Sequence, residues 1–191
     1  MKIALLGYGR MGQAIAKFVQ EREHEIVFTL DKNKEDGDLK QADFQNNSLI
    51  YLTLSSSLGI DPGGNTALYQ ATLVGSTLEK VTLLYKATPN TKKGQHFGSR
   101  IAFDGNGHLY FSVGDRGNRD ENPQDISRDG GKIYRLNLDG SIPEDNPFVS
   151  NTNAKQAVYS FGHRNPQGMT VHPSTGAIWV NEHGPQGGDE I

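Results

Sequence analysis

The residues best suited to chemistry in this 191-residue chain fall into two groups. The first is Gly7-Tyr8-Gly9-Arg10-Met11-Gly12, a GxGxxG run with an acid, Asp31, about 20 residues further along. In such a run Gly7 allows a tight turn, Gly9 lets the backbone approach a pyrophosphate, and Gly12 permits close helix–strand packing. An acid about 20 residues beyond is placed to accept hydrogen bonds from a ribose. The second group is a set of polar loops: Gln95-His96-Phe97-Gly98-Ser99-Arg100, then Gly114-Asp115-Arg116-Gly117 leading to Gln124-Asp125, then Gly162-His163-Arg164-Asn165-Pro166-Gln167-Gly168, and Glu182-His183-Gly184-Pro185 running on to Asp189-Glu190. Four of the six histidines lie in or beside such loops, yet their spacing predicts no convergent metal triad.

Two kinds of element must position these groups. Ile3–Leu6 is a short apolar run suited to a buried parallel strand. Met11, Ala14, Ile15, Phe18 and Val19 then recur at helical spacing, and Ile26–Leu30 is a second strand ending at Asp31. Strand, glycine run, helix, strand and acid make up the context a dinucleotide fingerprint requires. The competing reading is a glycine-rich turn in an ordinary βαβ unit. Past Asp38 the helical period disappears. Nine alternating runs take over: Leu49–Ser55, Thr66–Leu73, Leu78–Ala87, Arg100–Phe103, His108–Val113, Lys132–Leu138, Ala157–Phe161, Gly168–His172 and Ala177–Asn181. Turn signals such as Asp104-Gly105-Asn106-Gly107 and Asp139-Gly140 separate them. The polar loops therefore sit between strands, where a rigid β scaffold carries its sites.

One unit recurs. Ile101–Phe111 can be laid over Met169–Val180, and Asp43–Leu52 is a weaker copy, each an apolar strand, a polar turn and a second strand with a central aromatic. The recurrence, at roughly 60 to 70 residues, fits propeller blades with long inserted loops. The expected fold is mainly β: a partial six-bladed propeller of about three blades over residues 39–191, preceded by a Rossmann-like βαβ segment over residues 1–38. An irregular β-sandwich is the alternative.

From about Asp43 to Ile191 the loops resemble those of the soluble sugar dehydrogenases that use pyrroloquinoline quinone (PQQ), closest to the aldose sugar dehydrogenase branch of the glucose/sorbosone dehydrogenases. The motifs His96–Arg100 (HFGSR), Asp139–Phe148 (DGSIPEDNPF), Gly162–Gly168 (GHRNPQG) and Glu182–Glu190 (EHGPQGGDE) carry the resemblance. It implies an oxidoreductase that turns aldoses into lactones with PQQ and calcium. By the same resemblance His96 is the general base and Arg164 stabilises charge on the quinone. Gln124 and Asn165 bind PQQ, the carbonyls of Gly184 and Pro185 hold the calcium that polarises it, and Asp189 and Glu190 hold a second calcium. At Gln95 one branch of the family has an acid that orients the base. Taken singly, His96 is as well read as a surface histidine, Arg164 as a carboxylate partner, and Asp189 and Glu190 as solvated acids.

The first 36 or so residues resemble the N-terminus of 4-hydroxy-tetrahydrodipicolinate reductase, but that family's catalytic His-His and Lys motif does not follow. The implied alternative, an NAD(P)-dependent reductase, rests on this segment alone, so nicotinamide binding is not expected. A non-catalytic binding propeller is the third reading. The PQQ-family match also stops before the later blades, whose cationic residues bind the PQQ carboxylates. The expectation for the chain as given is therefore a catalytically inactive fusion that self-associates through open blade edges.

Composition narrows the remaining classes. A net charge of −3 and a pI near 6.1 give no electrostatic reason to expect nucleic acid as a partner. No apolar run approaches the roughly 20 residues needed to span a bilayer. The absence of cysteine excludes disulfides, zinc–thiolate sites and cysteine nucleophiles. Arg10 interrupts the only stretch that mimics a signal peptide, so a cytoplasmic location is expected, whereas the resembled dehydrogenases are periplasmic.

Overall fold

A computed structural model of the chain describes residues 2–6, 25–30, 48–75, 77–185 and 190–191. Among these residues the architecture is all strand and loop, with no helix. The chain divides into two compact units, Met1–Ile50 with Ala71–Val81, and Tyr51–Gln70 with Thr82–Ile191.

In the first unit β1 (Lys2–Leu6) and β2 (Glu25–Leu30) pair in parallel, Lys2 opposite Glu25 and Leu6 opposite Leu30. Parallel neighbours need a crossover between them. The expected crossover helix lies outside the described residues, as do Gly7, Gly9, Gly12 and Asp31.

The remaining strands form three further sheets. β3 (Ser48–Ser56), β4 (Asn65–Val74) and β5 (Thr77–Lys86) form one sheet, part of which belongs to the first unit. β6 (Ile101–Phe103), β7 (His108–Val113), β8 (Lys132–Asn137) and β9 (Val158–Phe161) form a four-stranded meander. β10 (Pro166–Val171) and β11 (Ile178–Glu182) form a two-stranded ribbon. All nine alternating runs of the sequence are therefore strands. The two stronger copies of the repeat are both antiparallel hairpins, with Ile101 opposite Phe111 and Met169 opposite Val180. The first strand expected of the weaker copy falls at residues 43–47, outside the described residues.

Turn chemistry explains the registers. Asp104 accepts hydrogen bonds from the N–H groups of Asn106 (2.7 Å) and His108 (3.1 Å), closing the β6–β7 turn. β7 is central in its sheet, and Leu109 to Val113 are buried without alternation, as expected of a strand covered on both faces. The core gathers Leu68, Ala87, Leu109, Phe111, Val113, Tyr134, Leu136 and Val158. Phe111 stacks on Tyr134 at 4.8 Å, and Tyr85 packs against both rings. Each such side chain, fully buried, stabilises the fold by about 1.5–3 kcal/mol.

The pairing sets the geometry of the site. Val113, the end of β7, lies opposite Lys132, the start of β8, and Lys132 lies opposite Phe161, the end of β9. Pro166, the start of β10, lies opposite Glu182, the end of β11. The loops after β7, β9 and β11 and those before β6, β8 and β10 therefore all emerge at the same ends of their sheets.

Candidate active site

His96 lies in the loop that enters β6, and its backbone has φ +56°, a left-handed conformation unusual for a side chain of its size. Its ring Nδ1 is 2.6 Å from Asp115 Oδ1, with the imidazole 16% and the carboxylate 1% exposed. A buried carboxylate at Nδ1 fixes the tautomer: Nδ1–H donates to Asp115, and Nε2 keeps its lone pair free to take a proton. Asp115 is itself held, because Oδ1 also accepts the Gly117 N–H (2.6 Å), its own N–H donates to the Arg164 carbonyl (2.7 Å), and its carbonyl accepts from Asn122 Nδ2 (3.0 Å).

Two features hold the histidine loop against the sheet. Arg116, 2% exposed, lies with its guanidinium carbon 3.4 Å from the centre of the Phe97 ring and donates to the carbonyls of Lys93 (2.7 Å) and Gln95. Burial lowers its pKa, and the neighbouring Asp115 charge works the other way. Gly114 has no room for a side chain: a Cβ there would sit 2.3 Å from the His96 carbonyl oxygen and 2.9 Å from Asn165 Oδ1. Such a contact lies far inside van der Waals distance, so only glycine lets the end of β7 approach the histidine loop this closely.

Glu182, the last residue of β11, organises the opposite side. Its Oε2 accepts the N–H groups of Arg164 (2.5 Å) and Asn165 (3.0 Å), while Oε1 is 3.0 Å from His163 Nδ1. Burial opposes ionisation of Glu182, but His163 and the two backbone donors outweigh it and hold the pKa below the ordinary carboxylate value. Arg164 Nη1 in turn donates to the His183 carbonyl (2.8 Å), and Asn165 Oδ1 accepts the Gly98 N–H (3.3 Å), joining this loop to the histidine loop.

Between these loops opens a cleft of about 330 Å³ whose walls include Asp115, Gln124, Arg164, Gly184, Pro185 and Glu190. Its size is at the lower end of the range for small-molecule sites. Five expected site residues thus share one cleft; His96 and Asn165 stand behind its wall, His96 bound to Asp115 and the Asn165 N–H bound to Glu182, both of which line it. Asp189 lies outside the described residues. The wall offers guanidinium and amide donors from Arg164, Arg119 and Gln124, a donor set that suits an anionic, carbonyl-bearing group. The Gly184-Pro185 carbonyls and Glu190 are the oxygen ligands a hard cation prefers. Among the described residues no cluster of three or more His, Cys, Asp or Glu is arranged to hold a metal.

Asp115 and Glu182 carried no role in the sequence reading. Both appear in loops already singled out, yet Asp115 is 19 residues from His96 and Glu182 is 18 from Arg164. No local spacing signals either pair.

A family model for glucose/sorbosone dehydrogenases matches residues 36–191. The chain belongs to this family. The aldose sugar dehydrogenase YliI of Escherichia coli is 41% identical over 152 residues, covering 78% of this chain and 40% of that protein. The crystal structure of the soluble aldose sugar dehydrogenase from E. coli in the apo form superposes with a TM-score of 0.71 at 38% identity, covering 76% of this chain and 42% of that one. A PQQ-bound aldose sugar dehydrogenase from Streptomyces coelicolor gives a TM-score of 0.62 at 26% identity, covering 78% of this chain and 42% of that one. The chain thus spans about two fifths of the length of these relatives. Its first residues have a separate likeness. A model for F420-dependent NADP oxidoreductases matches residues 2–53, and 4-hydroxy-tetrahydrodipicolinate reductase of Christiangramia forsetii is 59% identical over 39 residues, covering 20% of this chain and 16% of that protein.

Proposed function

We propose that the cleft is the substrate and cofactor wall of a PQQ- and calcium-dependent aldose dehydrogenase, with His96 as the base that takes the proton of the sugar's C1 hydroxyl. The observation that carries this reading is the His96–Asp115 pair at the edge of a cleft walled by Arg164. Family membership and the PQQ-bound relative support it.

The chemistry a bound quinone would supply is acceptance of the C1 hydride, with calcium as the Lewis acid that makes it a better acceptor. The rest belongs to the chain. Asp115 holds Nδ1–H, so Nε2 is the atom of His96 left to accept the proton, and the resulting imidazolium is paired with a buried carboxylate. Arg164, fixed at its backbone by Glu182 and at its guanidinium by His183, places positive charge where negative charge develops on the acceptor. Asn165 and Gln124 add neutral donors that would orient the cofactor. The carbonyls of Gly184 and Pro185 would hold the cation beside the quinone, and Glu190 with Asp189 would hold a second one.

A chimera tests it: residues 43–191 replace the matching stretch of the E. coli aldose sugar dehydrogenase. Reconstituted with PQQ and calcium, the chimera is expected to reduce an electron-accepting dye with glucose. His96→Ala in it should lower turnover about 10²–10⁴-fold, the contribution of a positioned base. A folded chimera whose turnover is unchanged by His96→Ala overturns the assignment.

A further inference from the structure

Ser160 Oγ lies 2.8 Å from His163 Nε2, and His163 Nδ1 lies 3.0 Å from Glu182 Oε1. All three side chains line a groove of about 600 Å³ that adjoins the cleft above at Glu182 and Glu190 and whose other walls are largely apolar and include Ile133, Tyr159 and Trp179. A hydroxyl on a base, with the base held by a carboxylate, is the arrangement that activates a serine. We propose that Ser160, His163 and Glu182 form a nucleophilic triad that hydrolyses carboxylic esters with an apolar or aromatic acyl group.

Each member is held by more than the triad itself. Ser160 sits in β9 opposite Ile133 of β8. The His163 N–H donates to the Gly131 carbonyl (3.1 Å), which fixes the backbone that carries the ring. Glu182 is fixed by its second oxygen, bound to two backbone N–H groups, so the carboxylate cannot swing away from the histidine. With Nδ1–H donated to Glu182, Nε2 is the acceptor and the Ser160 hydroxyl is the donor, the tautomer a base requires. The groove supplies the other half of the argument. Tyr159 is 37% and Trp179 51% exposed, so aromatic surface stands open beside the hydroxyl. That surface fits a flat or aliphatic acyl chain.

The reaction balances with water as the only co-reactant. Ser160 Oγ bonds to the acyl carbon as its proton passes to His163 Nε2. The acyl C–O bond then breaks, and the leaving alkoxide takes that proton and departs as the alcohol. Water attacks the Ser160 ester by the same relay, releasing the carboxylic acid and restoring the hydroxyl. A positioned base contributes about 10²–10⁴-fold, so slow but measurable turnover is expected.

The test treats the full chain with an alkyl fluorophosphonate, maps the adduct by mass spectrometry, and follows hydrolysis of p-nitrophenyl butyrate. The expected result is an adduct on Ser160, with hydrolysis at least 10-fold above equimolar imidazole and lost in Ser160→Ala and His163→Gln. No adduct, an adduct confined to other residues, or hydrolysis that survives Ser160→Ala overturns the proposal. Adduct mapping is made on the unsubstituted chain, so it decides the question even where a variant fails to fold.

Discussion

Replacing Asp129 is the most demanding test of how this fold holds its loops. The carboxylate is fully buried. Its Oδ1 accepts the phenols of Tyr85 (2.6 Å) and Tyr134 (2.7 Å), and its Oδ2 accepts the Thr88 N–H (2.8 Å), with Lys155 Nζ at 3.3 Å. Asp129→Ala strands two phenols and a backbone donor among the core rings. Each buried donor left unpaired costs about 1–3 kcal/mol, which sums to roughly 3–9 kcal/mol. Relief of the buried charge offsets several kcal/mol of this, so a net loss of about 3–5 kcal/mol is expected, as for other broken buried pairs. Asp129→Asn keeps the shape but turns an amide donor toward donors, and should cost about as much. Urea unfolding followed by the fluorescence of Trp179, the chain's only tryptophan, measures the loss. A second readout is independent of unfolding. Burial first, and then Asp129, raise the pKa of Tyr85 and Tyr134, so Asp129→Asn should bring their ionisation to lower pH in a near-ultraviolet titration. A loss under about 1 kcal/mol together with an unmoved tyrosine titration would refute the argument, since both effects come from the same contacts.

Three further outcomes are expected. Gly114→Ala drives a Cβ to within 2.3 Å of the His96 carbonyl and should cost about 1–3 kcal/mol or more in urea unfolding. Asp115→Asn in the chimera keeps a hydrogen-bonding group but favours the wrong imidazole tautomer. Turnover should fall by up to about 10⁴-fold with little change in KM, as in serine hydrolases. Lys132, fully buried, gives its ammonium to the carbonyls of Asn122 (2.5 Å), Gly130 (2.7 Å) and Pro123 (3.1 Å), and burial lowers its pKa to about 8. Between about pH 8 and the ordinary lysine value of 10.5 the unfolded chain then binds more protons than the folded one. Stability relative to Lys132→Met should therefore rise with pH across that window, as read from urea midpoints at each pH.

Much of this organisation was legible in the sequence because it is local. Alternation and turn residues located all nine strands of residues 48–182, and the Asp104-Gly105-Asn106-Gly107 turn showed its mechanism directly. The cleft residues were legible as loops, since polar runs between strands mark the ends of a sheet. What the sequence hid is long-range. Asp115 reaches His96, Asp129 reaches Tyr85, and Glu182 reaches His163 across separations that only strand pairing creates. Buried Lys132 and Arg116 were also invisible, because their partners are backbone carbonyls, which every residue carries.

Sheet register explains why these hidden contacts fall together. Ile101 faces Phe111, Val113 faces Lys132, Lys132 faces Phe161, and Pro166 faces Glu182. Going along each ribbon, the chain therefore returns to the same end of the sheet every second strand. Residues that end odd strands and begin even ones meet there, whatever their separation in sequence. A backbone group at that end has no ladder partner once its strand stops, and a buried unpaired N–H or carbonyl is costly. Glu182 answers two such N–H groups at the start of β10, and Lys132 answers three such carbonyls before β8. The charges that satisfy these strand ends are the same ones that fix Arg164, Asn165 and the loop bearing Gln124. Loop order and site geometry are thus one problem with one solution, and a substitution at Glu182 or Lys132 should disturb both together.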